Sequence, residues 1–189
     1  MRYVFVIDEE EKPTQRRLHV GAGTLLVSLL GSLMHFVYKW SNCDPFVAIF
    51  CAVNESTWEH AKIMLFPLLL WWTVTTGDAA ACCWAAYSAL AFLLVFNGLS
   101  LLGGFESLPY DIILFVASVL CGQYMGCRAW ERGWSGGLLT LAPLLILLAL
   151  GTNSAPRWEY MFMDRGGVWG TIELYLHIKS LYRDQETHA

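Results

Sequence analysis

The sequence predicts an all-α fold: a polytopic integral membrane helical bundle of about five transmembrane helices, with one short re-entrant or interfacial segment. Three observations lead there. The chain has 189 residues, of which 56% are hydrophobic and only 15% charged, against roughly 25% charged in a soluble domain. Its mean hydropathy is positive. Its apolar residues gather into several runs that approach the ~20 residues a bilayer helix needs.

The elements follow in order. Residues 1–19 read as a charged, solvated tail, because the short apolar run Tyr3–Ile7 leads into Asp8-Glu9-Glu10-Glu11 and not into the small-residue cleavage site of a secretory signal. Spans are predicted at about Val20–Tyr38, Thr57–Thr76, Ala79–Leu102, Tyr110–Cys127 and Ser135–Gly151. The apolar stretch Phe46–Val53 is too short to cross as a helix, so it is predicted to re-enter or lie in the interface. This makes residues 20–152 a transmembrane domain. Residues 153–189 then form an interfacial loop and an amphipathic helix over Thr171–Asp184, with Glu173, His177, Ser180 and Asp184 on its polar stripe.

Five spans sort the tryptophans into two belts, as interfacial aromatics require. Trp40, Trp58, Trp158 and Trp169 fall on one face; Trp71, Trp72, Trp84, Trp130 and Trp134 fall on the face of the N-terminus. A small excess of Lys and Arg near the spans on that second face predicts a cytosolic N-terminus. Pro67 predicts a kink in the second span. Ser118, Gly122 and Gly126 recur at four-residue spacing, which lets helices approach closely. This stripe could serve a homo-oligomer or a membrane partner, but internal packing against the smooth stripe Ala81, Ala85 and Ala89 is the simpler expectation.

Composition also excludes some functions. A formal net charge of −4 offers no basic face for nucleic acid. The six cysteines contain no CxxC pair, so neither a zinc ribbon nor a redox motif is expected. The lipid bilayer is the partner the chain implies.

Chemistry is concentrated in Val53-Asn54-Glu55-Ser56-Thr57-Trp58-Glu59-His60-Ala61-Lys62. Polar groups at the mouth of a bilayer are costly and mark a functional site by default. Part of the motif has a structural use. Ser56-Thr57-Trp58-Glu59 has the capping-box form, in which Ser56 accepts from the Glu59 amide and the Glu59 carboxylate returns to the Ser56 amide. Asn54 can cap an earlier start, Lys62 can pair with Glu59 at i+3, Trp58 can anchor in the interface, and Asp111 sits in a first turn behind Pro109.

Glu55, His60 and the distant His35 exceed what a cap needs. If the first two spans pack antiparallel, His35 faces His60 or Glu59. Two histidines and a carboxylate suit a divalent ion such as zinc, with His35, His60 and Glu59 as the candidate ligands. Asp164, in the charged and aromatic segment Pro156–Gly167, could close over the mouth and pair with Lys39, Lys62 or Arg165. The predicted pocket therefore comprises His35, Asn54, Glu55, Trp58, Glu59, His60, Lys62, Asp111 and Asp164.

The run His35-Phe36-Val37-Tyr38-Lys39-Trp40-Ser41, the Val53–Lys62 motif and Phe66-Pro67 together resemble an uncharacterised family, a domain of unknown function found in small polytopic membrane proteins. Its pattern is H-x-x-Y-x-W-S, V-N-E-S-x-W-E-H-x-K and F-P, with further matches at Asp111, Gln123, Pro156, Phe162 and Asp164. The likeness spans about residues 20–170. Lys39 stands where Glu is common in the family. The resemblance implies an integral membrane protein and no activity.

Three functional classes remain, in this order: a binding or structural membrane component; an intramembrane metal-dependent hydrolase acting on lipid, with Glu55 or Glu59 as general base; and a small transporter or channel using the carboxylates and His60 as a proton or cation relay.

Overall fold

A computed structural model describes residues 12–44, 46–104 and 107–135. The predicted fifth span, the Pro156–Gly167 segment with Asp164, and the C-terminal helix lie outside the described residues. Those described are all-helical: α1 (Lys12–Trp40), a 3-10 turn (Val47–Ile49), α2 (Thr57–Thr75), α3 (Ala79–Gly103) and α4 (Leu108–Arg132). Three of them, α1 from Arg16, α3 as far as Ser100 and α4, are long and apolar enough to cross a membrane. By contrast, α2 has 19 residues and carries Glu59, His60 and Lys62 in its first two turns, which leaves it a shorter apolar run.

Local chemistry sets each boundary. Helix α1 starts well before the predicted Val20. Arg16, in this added length, reaches Glu131 on α4 at 3.4 Å. It stops where Asn42 and Cys43 enter the left-handed region (φ 57° and 62°), with the Cys43 amide bonded to the Tyr38 carbonyl at 3.1 Å. Ser56 caps α2 by accepting from the Glu59 amide at 3.4 Å. The helix runs through Pro67 and ends at Gly77 (φ +63°), whose amide meets the Trp72 carbonyl at 3.2 Å. Asp78 then opens α3 by accepting from the Ala81 amide at 2.9 Å. Ser107 caps α4, and Gly133 (φ +58°) closes it in the left-handed conformation.

Consecutive helices run antiparallel. His35 and His60 meet at one end of the α1–α2 pair, and His19 meets Trp71 and Trp72 at the other. Asn97 of α3 bonds Thr57 at the start of α2, and Cys82 approaches the Leu69 carbonyl. Helices α3 and α4 share the most extensive contact, and α4 also packs closely on α2. A Cβ on Gly122 would lie 2.7 Å from the Ala85 carbonyl oxygen, and one on Gly126 would lie 2.5 Å from the Trp72 ring. The small-residue stripe Ser118, Gly122 and Gly126 is thus buried within the chain, against Ala85, Ala89 and α2.

The interior is small and partly polar, while large apolar side chains point outward. Leu25, Leu29, Val74, Val95, Leu102 and Ile113 are all more than half exposed. That reverses the pattern of a soluble core and is what a helix bundle in lipid shows. Some helix hydroxyls bond their own backbone: Ser118 donates to the Leu114 carbonyl at 2.7 Å and Ser88 to the Trp84 carbonyl at 2.6 Å, whereas the buried hydroxyls of Thr24 and Ser28 on α1 have no partner among the described residues.

Candidate functional site

The loop before α2 is built around one buried ion pair. The Lys62 ammonium lies 2.7 Å from Glu59 Oε2, and both side chains are almost wholly excluded from solvent. Lys62 also donates to the Ala48 carbonyl at 2.8 Å, and the Val53 amide donates to Glu59 Oε2 at 3.0 Å. Two charges one turn apart on α2 therefore hold both the 3-10 turn and the approach to the helix. The capping box expected here takes a different form: Ser56 accepts from the Glu59 amide, but the Ser56 amide goes to Asn54 Oδ1 at 3.0 Å, while the Glu59 carboxylate serves Lys62 and Val53. The reason is geometric. Lys62, one turn along α2, and the Val53 amide of the folded-back loop both take the Glu59 carboxylate, and Asn54, two residues from Ser56, makes an Asx turn in its place.

With the loop fixed, Glu55 projects outward between two histidines. Its Oε1 lies 2.8 Å from His35 Nε2, and its Oε2 lies 3.6 Å from His60 Nε2. The imidazoles stack with centroids 5.6 Å apart. Glu55 is 62% exposed, and the histidine side chains are about one-quarter exposed. The second nitrogen of His60 faces the Ser56 carbonyl at 3.0 Å; opposite a carbonyl it must be the protonated one, so Nδ1–H donates. Asp111, in the first turn of α4, is near enough to act electrostatically on His60.

The predicted pocket residues thus divide. His35, Glu55 and His60 come together, with Asp111 beside them. Glu59 and Lys62 are buried as a pair and anchor the loop, and Asn54 shapes the turn. The carboxylate that joins the two histidines in a metal-capable group is Glu55, where the sequence pointed to Glu59. Trp58 is a core residue and not an interfacial anchor: it is 1% exposed and sits in a buried cluster with Val27, Ala52 and Met64, and Trp72, expected in the opposite belt, is fully buried in the same cluster. Lys39 is exposed. Asp164 lies outside the described residues. All six cysteines are free thiols, and burial pushes the Cys51 thiol up, against thiolate ligation at this end.

The far end brings together residues whose contacts spacing does not reveal, His19 with Trp71 and Trp72, and Gln123 with Gly23. Trp71 Nε1–H donates to His19 Nε2 at 3.1 Å, and the His19 ring packs against Trp72 at 4.9 Å. Gln123 is fully buried beside Gly23 of α1, with no hydrogen-bond partner for its amide among the described residues. Spacing does mark the helix face. His19, Gly23, Val27, Gly31 and His35 recur every four residues, marking the ridge of α1 that packs inward.

The loop and both helices that form this site fall in one stretch of chain. Residues 9–77 match the model of a family of unknown function (DUF6512). The match includes α2 and the whole Val53–Lys62 motif, a shorter stretch than the residues 20–170 over which the likeness was expected. No curated protein and no solved structure matches the chain.

Proposed function

We propose that this is a multi-pass integral membrane protein that acts as a binding component, with its site at the His35–Glu55–His60 cluster on one membrane face. One observation carries the reading: two histidines from different helices converge on the two oxygens of a single exposed carboxylate, directly beside a buried ion pair that already secures the fold. The buried pair explains Glu59 and Lys62 structurally. It leaves the exposed cluster without a comparable structural task.

The two sets of residues should respond differently to substitution. Lys62→Met strands the Glu59 carboxylate in the interior and should cost about 3–5 kcal/mol. Glu55→Gln and His35→Ala alter an exposed cluster and should each change stability by no more than about 0.5–1 kcal/mol. Thermal and denaturant unfolding of the purified full chain in detergent measures both. If Glu55→Gln unfolds the protein as far as Lys62→Met does, the cluster belongs to the fold and is not a binding site.

A further inference from the structure

We propose that His35, Glu55 and His60 bind one divalent transition-metal ion, zinc by their donor chemistry, in a three-ligand site open toward the membrane interface. The proposal rests on the reading of this cluster as a binding site and names its ligand.

Geometry is the first support. One ligand atom from each residue lies within 4.8 Å of the others. Donors bound at about 2.0–2.2 Å around a tetrahedral ion sit roughly 3.3–3.5 Å apart, so the three need to close by little more than an ångström. The Glu55 oxygens already stand 2.8 Å and 3.6 Å from the two histidine Nε2 atoms, and Glu55 is exposed on a loop.

The second support is where the lone pairs of His60 and Glu55 point. His60 commits Nδ1–H to the Ser56 carbonyl. In its neutral form it then turns the Nε2 lone pair toward Glu55 Oε2, 3.6 Å away. The two lone pairs then point at one place between the residues, which is the position a shared cation takes. The backbone bond on the far nitrogen is also what orients a ligating histidine and fixes its tautomer.

The donor set is the third support. Two imidazoles and one carboxylate form the set used where a metal keeps an open position, and imidazole nitrogen favours zinc and its neighbours over magnesium or calcium. On binding, His35 takes the Nδ1–H tautomer so that its Nε2 can ligate. That moves a proton between its own ring nitrogens and changes no net charge. The Glu55 carboxylate, with Asp111 near His60, offsets the charge of the ion.

The test uses the full chain in detergent, free of any polyhistidine tag and stripped by chelator. Zinc titrated by calorimetry should bind at one ion per chain, and cobalt should give the visible absorption of a four- or five-coordinate nitrogen–oxygen site. Magnesium and calcium should not compete. His60→Ala, His35→Gln and Glu55→Gln should each weaken zinc binding by at least about 100-fold, with helicity unchanged, while the exposed Lys39→Ala should bind as the parent does. Absence of zinc binding by the folded parent overturns the proposal, as does binding that survives both histidine substitutions. If zinc does not bind but Glu55→Gln still leaves stability untouched, the metal is wrong and the binding-site reading stands. If Glu55→Gln unfolds the protein, both fall.

Discussion

At the scale of single residues, the motif Val53–Lys62 divides between neighbours. Glu59 and Glu55 are four residues apart and chemically alike, yet one is buried on a lysine and the other stands exposed between histidines. The difference comes from where Ala48 and Val53 deliver a carbonyl and an amide, which sequence spacing does not specify. The sequence did contain the Glu59–Lys62 pairing, since i+3 neighbours on a helix face each other. It did not contain the burial of that pair. This yields a coupling prediction. Glu59→Gln or Lys62→Met alone leaves a buried charge unpaired, whereas the double variant removes both charges. The double variant should therefore be more stable than either single one, with a coupling of about 1–3 kcal/mol in a double-mutant cycle. Additive losses would show that the two charges do not interact.

At the scale of elements, helix positions followed from apolar run length, and helix contacts followed from small residues. Gly31 of α1 lies where an added Cβ would stand 2.8 Å from the Ile63 carbonyl oxygen and 2.7 Å from the Phe115 ring. Gly21, on the same helix, has nothing within 4 Å of that position. Gly31→Ala should therefore cost about 1–3 kcal/mol by forcing α1 away from α2. Gly21→Ala should be neutral or stabilising by up to about 1 kcal/mol through helix propensity alone. Unfolding of the two variants side by side checks this; equal effects would contradict the close approach of α1 and α2. His35 and His60 depend on that approach, so Gly31 is a remote support of the candidate site.

At the scale of the whole molecule, antiparallel succession puts the cluster at one end of the bundle and His19, against Trp71, Trp72 and Trp130 near the end of α4, at the other. A membrane crossing by α1 and α4 then separates Cys43 from Ser135. In a variant keeping only Cys43, which is exposed, a membrane-impermeant maleimide added to sealed vesicles should label from one side. In the reciprocal variant, with Cys43→Ser and Ser135→Cys, it should label from the other. Labelling of both from the same side would rule out this topology.

By itself, the sequence determined that the protein is helical, that it carries spans fit for a membrane, and that its polar groups concentrate before α2. Hydrophobic run length and composition act locally and need no partner, so these features can be read along the chain. Which carboxylate meets the histidines, which tryptophans are core, and which glycines bear the packing were decided only by the tertiary structure. Each of these depends on a contact between segments far apart in the chain, and a side chain's role there is set by what another segment brings to it.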